Sequence, residues 1–189
     1  MKKLYLYLFL FLSFTNISNS EDFFKDITYQ LLDNQPRLSY GISVSDTNSD
    51  GNYEFVVTGF GFNNLALAYK KGILFNSIDQ SIFLDKNRKT IGVASCDIDQ
   101  DGYEEIYFLN TDTYSGNKRY SDRLLDFDGD KFYDLFELEI NQKNLNLTAG
   151  RSVVCVDRNG NGAYGIYVAN YGGQTRFYEK DGDKIKDKA

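Results

Sequence analysis

From Tyr40 onward, short runs rich in apolar residues break at clusters of Asp, Asn, Gly and Ser. Tyr40-Gly41-Ile42-Ser43-Val44 and Ile91-Gly92-Val93-Ala94 each lead into an Asp-rich loop, and Phe55-Val56-Val57 and Ile106-Tyr107-Phe108 lead out. Short runs of β-branched and aromatic residues bounded by turn residues predict strands, so each Asp-rich loop joins two strands as a hairpin. A second matched set, 64–72, 122–129 and 175–182, ends in turn residues. A third, Phe23 to Thr28, Ile73 to Ile78 and Lys131 to Phe136, reads as short closing strands. Each unit therefore runs strand, Asp-rich loop, strand, polar loop, strand, tight turn, strand.

The units span about 40–79, 91–137 and 151–189, joined by links at 80–90 and 141–150, with 23–30 as a lone outer strand. The Asp-rich loops begin at Asp46, Asp97 and Asp157, a repeat of roughly 50 to 60 residues in the range of propellers and arrays. Four short antiparallel strands per repeat predict an all-β chain of β-propeller blades over 21–189. Closed propellers have about four to eight blades. With three, the chain is expected to be a fragment or a truncated product, or to associate through its open edges.

The loops carry the chemistry. Asp97, Asp99 and Asp101 stand at alternate positions, Gly102 follows where the chain turns, and Glu105 returns at the ninth position. Hard oxygen ligands in this pattern suit Ca²⁺. Asp46, Asn48, Asp50, Gly51 and Glu54 repeat it with one amide, and the backbone carbonyls of Asn52 and Tyr103 complete the expected ligand sets. In the third loop Asp157, Asn159 and Asn161 keep the frame, but Gly165 holds the ninth position and a single charge remains. It is expected to be weak or empty. An EF-hand is excluded, because position twelve is Val57, Phe108 or Val168 and the flanks are strands. The alternative for any one loop is a solvated Asx turn that needs no metal. Asp126-Phe127-Asp128-Gly129-Asp130, followed by Asp134, mimics the pattern but reads as a hairpin turn.

Residues 1–20 have the form of a secretory signal, with Lys2 and Lys3 ahead of an apolar core from Leu4 to Phe14 and small residues at 18–20. That core is too short to cross a bilayer, and no later stretch approaches spanning length. A secreted, extracellular chain is expected. The net charge is −6, and loss of the leader makes it more acidic still. This argues against nucleic acid or anionic membrane as partners. The chain has no His, so a Ser-His-Asp triad, a Cys-His pair and a His-based zinc site are all missing, and the chain is expected not to be an enzyme.

Asn146-Leu147-Thr148 is the one glycosylation sequon beyond the leader, and it lies in a link where a glycan would face solvent. Cys96 and Cys155 are the only cysteines. One stands one residue before its loop and the other two, so their side chains aim either toward each other across adjacent units or apart. Both a disulfide and two buried thiols are compatible with that offset.

The segment Ile91 to Thr111, with 149–158 and 166–171, resembles the FG-GAP/VCBS repeats of integrin-α-type propellers, and more closely the cartilage acidic protein family. The resemblance runs through essentially all of the chain after the leader. It implies a secreted calcium-binding propeller of about seven blades that acts by binding other extracellular proteins. A purely structural matrix component, or the accessory propeller of a secreted hydrolase, is the alternative.

Overall fold

Alternation along the chain resolves into three four-stranded antiparallel sheets in the computed structural model, which describes residues 24–189. The first contains β1 (Ile42–Ser45), β2 (Glu54–Val57), β3 (Leu65–Lys70) and β4 (Ile73–Asn76). The second contains β5 (Thr90–Cys96), β6 (Glu105–Asn110), β7 (Arg123–Phe127) and β8 (Phe132–Asp134). The third contains β9 (Gly150–Val156), β10 (Gly165–Asn170), β11 (Arg176–Asp181) and β12 (Lys184–Asp187). Within each sheet the strands lie in chain order. A short helix, α1 (Ser81–Leu84), and 3₁₀ turns at Leu135–Glu137 and Glu139–Asn144 fill the links. The leader expected over 1–20 lies outside the described residues.

The register repeats as well as the topology. Ser45 pairs with Glu54, Cys96 with Glu105 and Val156 with Gly165, so in every sheet the ninth loop residue faces the residue just before the first aspartate. The outer hairpins use tight turns. Lys71 and Gly72 both have positive φ, 53° and 85°, the type I′ geometry that matches strand twist. The Asp126–Asp130 stretch is likewise a hairpin turn, in which Asp128 Oδ1 accepts from the amides of Asp130 and Lys131.

The first strands of the three sheets lie side by side, β5 between β1 and β9. The approach is close enough that a Cβ on Gly41 would meet the Gly92 Cα at 2.9 Å, and one on Gly150 would meet Leu109 Cδ1 at 2.2 Å. The second sheet is thereby covered on both faces. Alternate residues of β6 go to opposite seams. Ile106 and Phe108 join Val56, Phe83 and Phe132 against the first sheet, and Tyr107 and Leu109 join Ile166, Val168 and Tyr178 against the third. A strand buried on both faces is hydrophobic at nearly every position, as Glu105–Asn110 is. The outer faces of the flanking sheets instead leave Ile42, Val44 and Phe55, and Val154 and Tyr167, exposed.

Two expectations are corrected. The strand expected over 23–30 is absent from the described part of that stretch. Phe24 is exposed and Thr28–Gln30 is a 3₁₀ turn, and pairing begins only at Leu31, in a single parallel bridge to Leu74. Asp26 Oδ1 accepts from the Thr28 amide at 2.8 Å, and such a local side-chain bond competes with the extended backbone. The sequon asparagine is not solvent-facing either. Asn146 is fully buried, and its Nδ2, the atom that would carry a glycan, donates to Asp122 Oδ2 at 2.6 Å and Asn170 Oδ1 at 3.0 Å.

That network lies in the seam between the second and third sheets. Asp122 accepts from the Tyr107 hydroxyl and the Asn110 amide, both at 2.7 Å, and pairs with Lys118 Nζ, with neither side chain exposed. Burial pushes the Asp122 carboxyl up and the Lys118 ammonium down, in each case against the attraction of its partner. Removing one partner of such a pair leaves a buried charge without compensation. Lys118→Met is expected to cost about 3–5 kcal/mol in urea unfolding, with part of the loss recovered in Lys118→Met/Asp122→Asn.

Candidate metal centre

All three Asp-rich loops lie at one end of the sheets. Ser49 Oγ donates to the Gly102 carbonyl at 2.9 Å, and Gly162 lies beside Gln100. Each loop folds around its first aspartate. Asp46, Asp97 and Asp157 use Oδ2 to accept from the amides of Gly51, Gly102 and Gly162, at 2.8, 3.0 and 2.8 Å. Their Oδ1 atoms accept from the amides of Asp50, Asp101 and Asn161. The chain reverses through left-handed conformations at the fourth position (Ser49, Gln100, Gly160) and the sixth (Gly51, Gly102, Gly162), which explains the glycine at position six. Asp50, Asp101 and Asn161 then accept from the amide two residues on, at Asn52, Tyr103 and Ala163.

The loops differ in what returns to meet these groups. In the second, carboxylate oxygens of Asp97, Asp99 and Glu105 all lie within 4.8 Å of one another. Two ligands of one Ca²⁺, each at about 2.3–2.6 Å from the ion, are separated by no more than this order of distance. Glu105 is fully buried. Its Oε2 closes the loop by accepting from the Ile98 amide at 2.7 Å, and its Oε1 faces Lys180 Nζ at 3.0 Å. Burial pushes Glu105 up to about 7, opposed by the Ile98 amide and by Lys180. The donor set, all hard oxygens around a buried acid, fits a divalent cation of the calcium type.

Lys180 was not legible in the sequence as part of this site. It sits on β11 of the third sheet, and its ammonium reaches Asp99, Glu105 and, at 2.7 Å, Asp126 Oδ2. Burial opposes its charge, but the hydrogen bonds of Asp126 and Asp99 and the charge of Glu105 outweigh that and hold it protonated. A fixed ammonium thus shares two carboxylates with the position a metal would take.

In the first loop Glu54 is also buried, and its Oε2 accepts from the Thr47 amide at 3.1 Å and hydroxyl at 2.7 Å. Asn48 replaces the second carboxylate, and its Oδ1 accepts from the Asp50 amide. Among the described residues the second loop alone gathers three carboxylates this closely. The third loop has no room for an acid. A Cβ on Gly165 would meet the Phe177 ring at 2.8 Å. That ring lies under Arg158, which also pairs with Glu179.

Cys96, next to Asp97, is bonded to Cys155 of β9, with their Cα atoms 6.3 Å apart. The one-residue offset therefore aims the two side chains at each other, and the bridge ties the entry of the second loop to the third sheet.

No family model matches the chain. Among curated proteins it is 42% identical to cartilage acidic protein 1 of Xenopus tropicalis over 168 residues, covering 80% of this chain and 26% of the relative. For Homo sapiens cartilage acidic protein 1 the figures are 40% over 184 residues, 88% and 28%. The Mus musculus protein is 41% identical over 149 residues. Over most of its length the chain is similar to cartilage acidic protein 1. It spans about a quarter of the length of these relatives.

The Cys96–Cys155 bridge closes a loop with a sequence separation of 59, for which unfolded-chain entropy gives about 4 kcal/mol. Reduction is expected to lower stability by about that amount in urea unfolding. Thiol titration of the denatured, unreduced chain should find no reactive thiol.

Proposed function

We propose that the chain is part of a secreted, calcium-binding β-propeller of the FG-GAP/VCBS type, a non-catalytic module that binds other extracellular proteins. The observation that carries the metal assignment is the convergence of Asp97, Asp99 and Glu105 in a loop whose backbone is already folded around Asp97. Asp101 and the Tyr103 carbonyl complete that ligand set. Asp46, Asn48, Asp50, Glu54 and the Asn52 carbonyl form the first site, and the third loop stays empty. Calcium would supply fixed positive charge at the hairpin tips, where this acidic chain concentrates its carboxylates.

The propeller arrangement is supported by three like sheets set side by side through their first strands, with apolar outer faces against which further blades would pack. Secretion is supported by the leader pattern, by the cysteine bridge and by the similarity to proteins named for cartilage and acidity. Among the described residues no helix is long and apolar enough to cross a membrane. The non-catalytic reading rests on the absence of His and on the use of the regularly spaced acids as ligands.

Calorimetric titration of the chelator-stripped chain is expected to find two calcium ions, with Kd in the range of about 10⁻⁴–10⁻³ M common to extracellular modules. Asp97→Asn should remove one of them. Lys180→Met, which frees Glu105 and Asp99 from the competing ammonium, should tighten the second site about tenfold. Absence of binding at millimolar free calcium would overturn the assignment.

A further inference from the structure

The end of the sheets opposite the Asp-rich loops has a different chemistry. Here β1, β5 and β9 begin and β2 and β6 end, and a cavity of about 740 Å³ opens between them, lined chiefly by Tyr40, Phe60, Ile91, Asp112, Tyr114 and Arg151. Arg151 is built into its wall. Its guanidinium carbon lies 5.2 Å from the Tyr114 ring centroid and 5.1 Å from that of Tyr171, and it donates to the carbonyls of Gly150 and Tyr114. Two of its five N–H groups are used in this way. Lys89 Nζ stands 5.3 Å from the Phe60 ring. Among the described residues neither Arg151 nor Lys89 is within ion-pair distance of a carboxylate. Tyr40, Tyr114 and Tyr171 are all exposed.

We propose that this cavity binds an acidic peptide segment of a partner protein, Arg151 taking a carboxylate and Tyr40, Phe60 and Tyr114 packing against the neighbouring side chain. The inference deepens the protein-binding reading above and rests on it. An arginine fork with free N–H groups matches a carboxylate in two-point geometry. Stacking on two rings and bonding to two carbonyls fix the fork before the ligand arrives, so little entropy is lost on binding. Exposed Tyr and Arg around a concave centre are the residues that dominate protein interfaces. Charge complementarity selects the sign of the ligand. The chain is acidic overall and its loop end repels anions, whereas here two cations without carboxylate partners face solvent. A polysulfated glycan suits the site less well, since the cations are few, the walls are aromatic, and Asp112 stands among them.

The test is fluorescence anisotropy on the full chain with a labelled Glu/Tyr peptide, a Lys/Tyr peptide of equal length and a heparin oligosaccharide. The Glu/Tyr peptide is expected to bind, and Arg151→Gln to weaken it about tenfold. Asp112→Asn removes a repulsive charge while keeping an acceptor for the Arg119 amide, and is expected to tighten binding about threefold, a gain that misfolding cannot imitate. Failure of the Glu/Tyr peptide to bind, or binding unaffected by both substitutions, overturns the proposal. Preference for heparin reassigns the site to a glycan and overturns it too. Preference for the Lys/Tyr peptide overturns the charge assignment but leaves the protein-binding reading standing. Absence of calcium binding with the Glu/Tyr result intact would instead overturn the metal assignment and leave this proposal standing.

Discussion

Glu105 holds two parts of the molecule at once, and both the site and the seam beneath it depend on this. One carboxylate oxygen accepts from the Ile98 amide and sets the shape of the second loop, while the other meets Lys180 from the third sheet. A buried carboxylate is expensive without such partners, and the shift of Glu105 to about 7 records that cost. The neighbouring contacts fall in around it. Cys96 pairs with Glu105 across β5 and β6 and is bonded to Cys155, and Asp126, on β7, shares the same ammonium. Loop shape and sheet packing are therefore coupled in the second unit, as they are not in the first, where Glu54 turns to Thr47 alone.

Much of this was legible in the sequence because the signals are local. The strands show as short β-branched and aromatic runs, the tight turns are marked by Lys71-Gly72 and Asp128-Gly129, and the loop frame needs only spacing and a glycine at position six. Twelve strands in three sheets follow those signals closely. What escaped depends on contacts between distant residues. Lys180 carries no local mark as a partner of Glu105. Asn146 looked like a link residue, yet its side chain completes a buried network with Asp122 and Asn170. The direction of the two thiols depended on how adjacent sheets face each other, which alternation alone leaves two-fold ambiguous. At the N-terminal end of the described residues, a segment similar to two true strands finds no partner before Leu31 and instead turns locally, with Asp26 accepting from the Thr28 amide.

The two ends of the sheets divide the chemistry between them. Acids crowd the hairpin tips, and in the second loop the Lys180 ammonium relieves their repulsion. Aromatic rings and cations line the other end, where the strand starts and the loops after β2 and β6 frame a cavity. The same strands that carry Asp97 and Asp157 at one end begin, at the other, with the cavity residues Ile91 and Arg151.

Tyr103 holds the seventh position of the second loop and Tyr53 stands next to Asn52 in the first, so each proposed site has a tyrosine beside it to sensitise a bound lanthanide. Tyrosine-sensitised terbium luminescence tests the metal assignment most directly. The account predicts an emission that saturates with terbium, is displaced by calcium, falls when Asp97 is changed to Asn and vanishes when Asp46 is changed as well. Emission that never saturates, or that survives in the Asp46→Asn/Asp97→Asn chain, would contradict it.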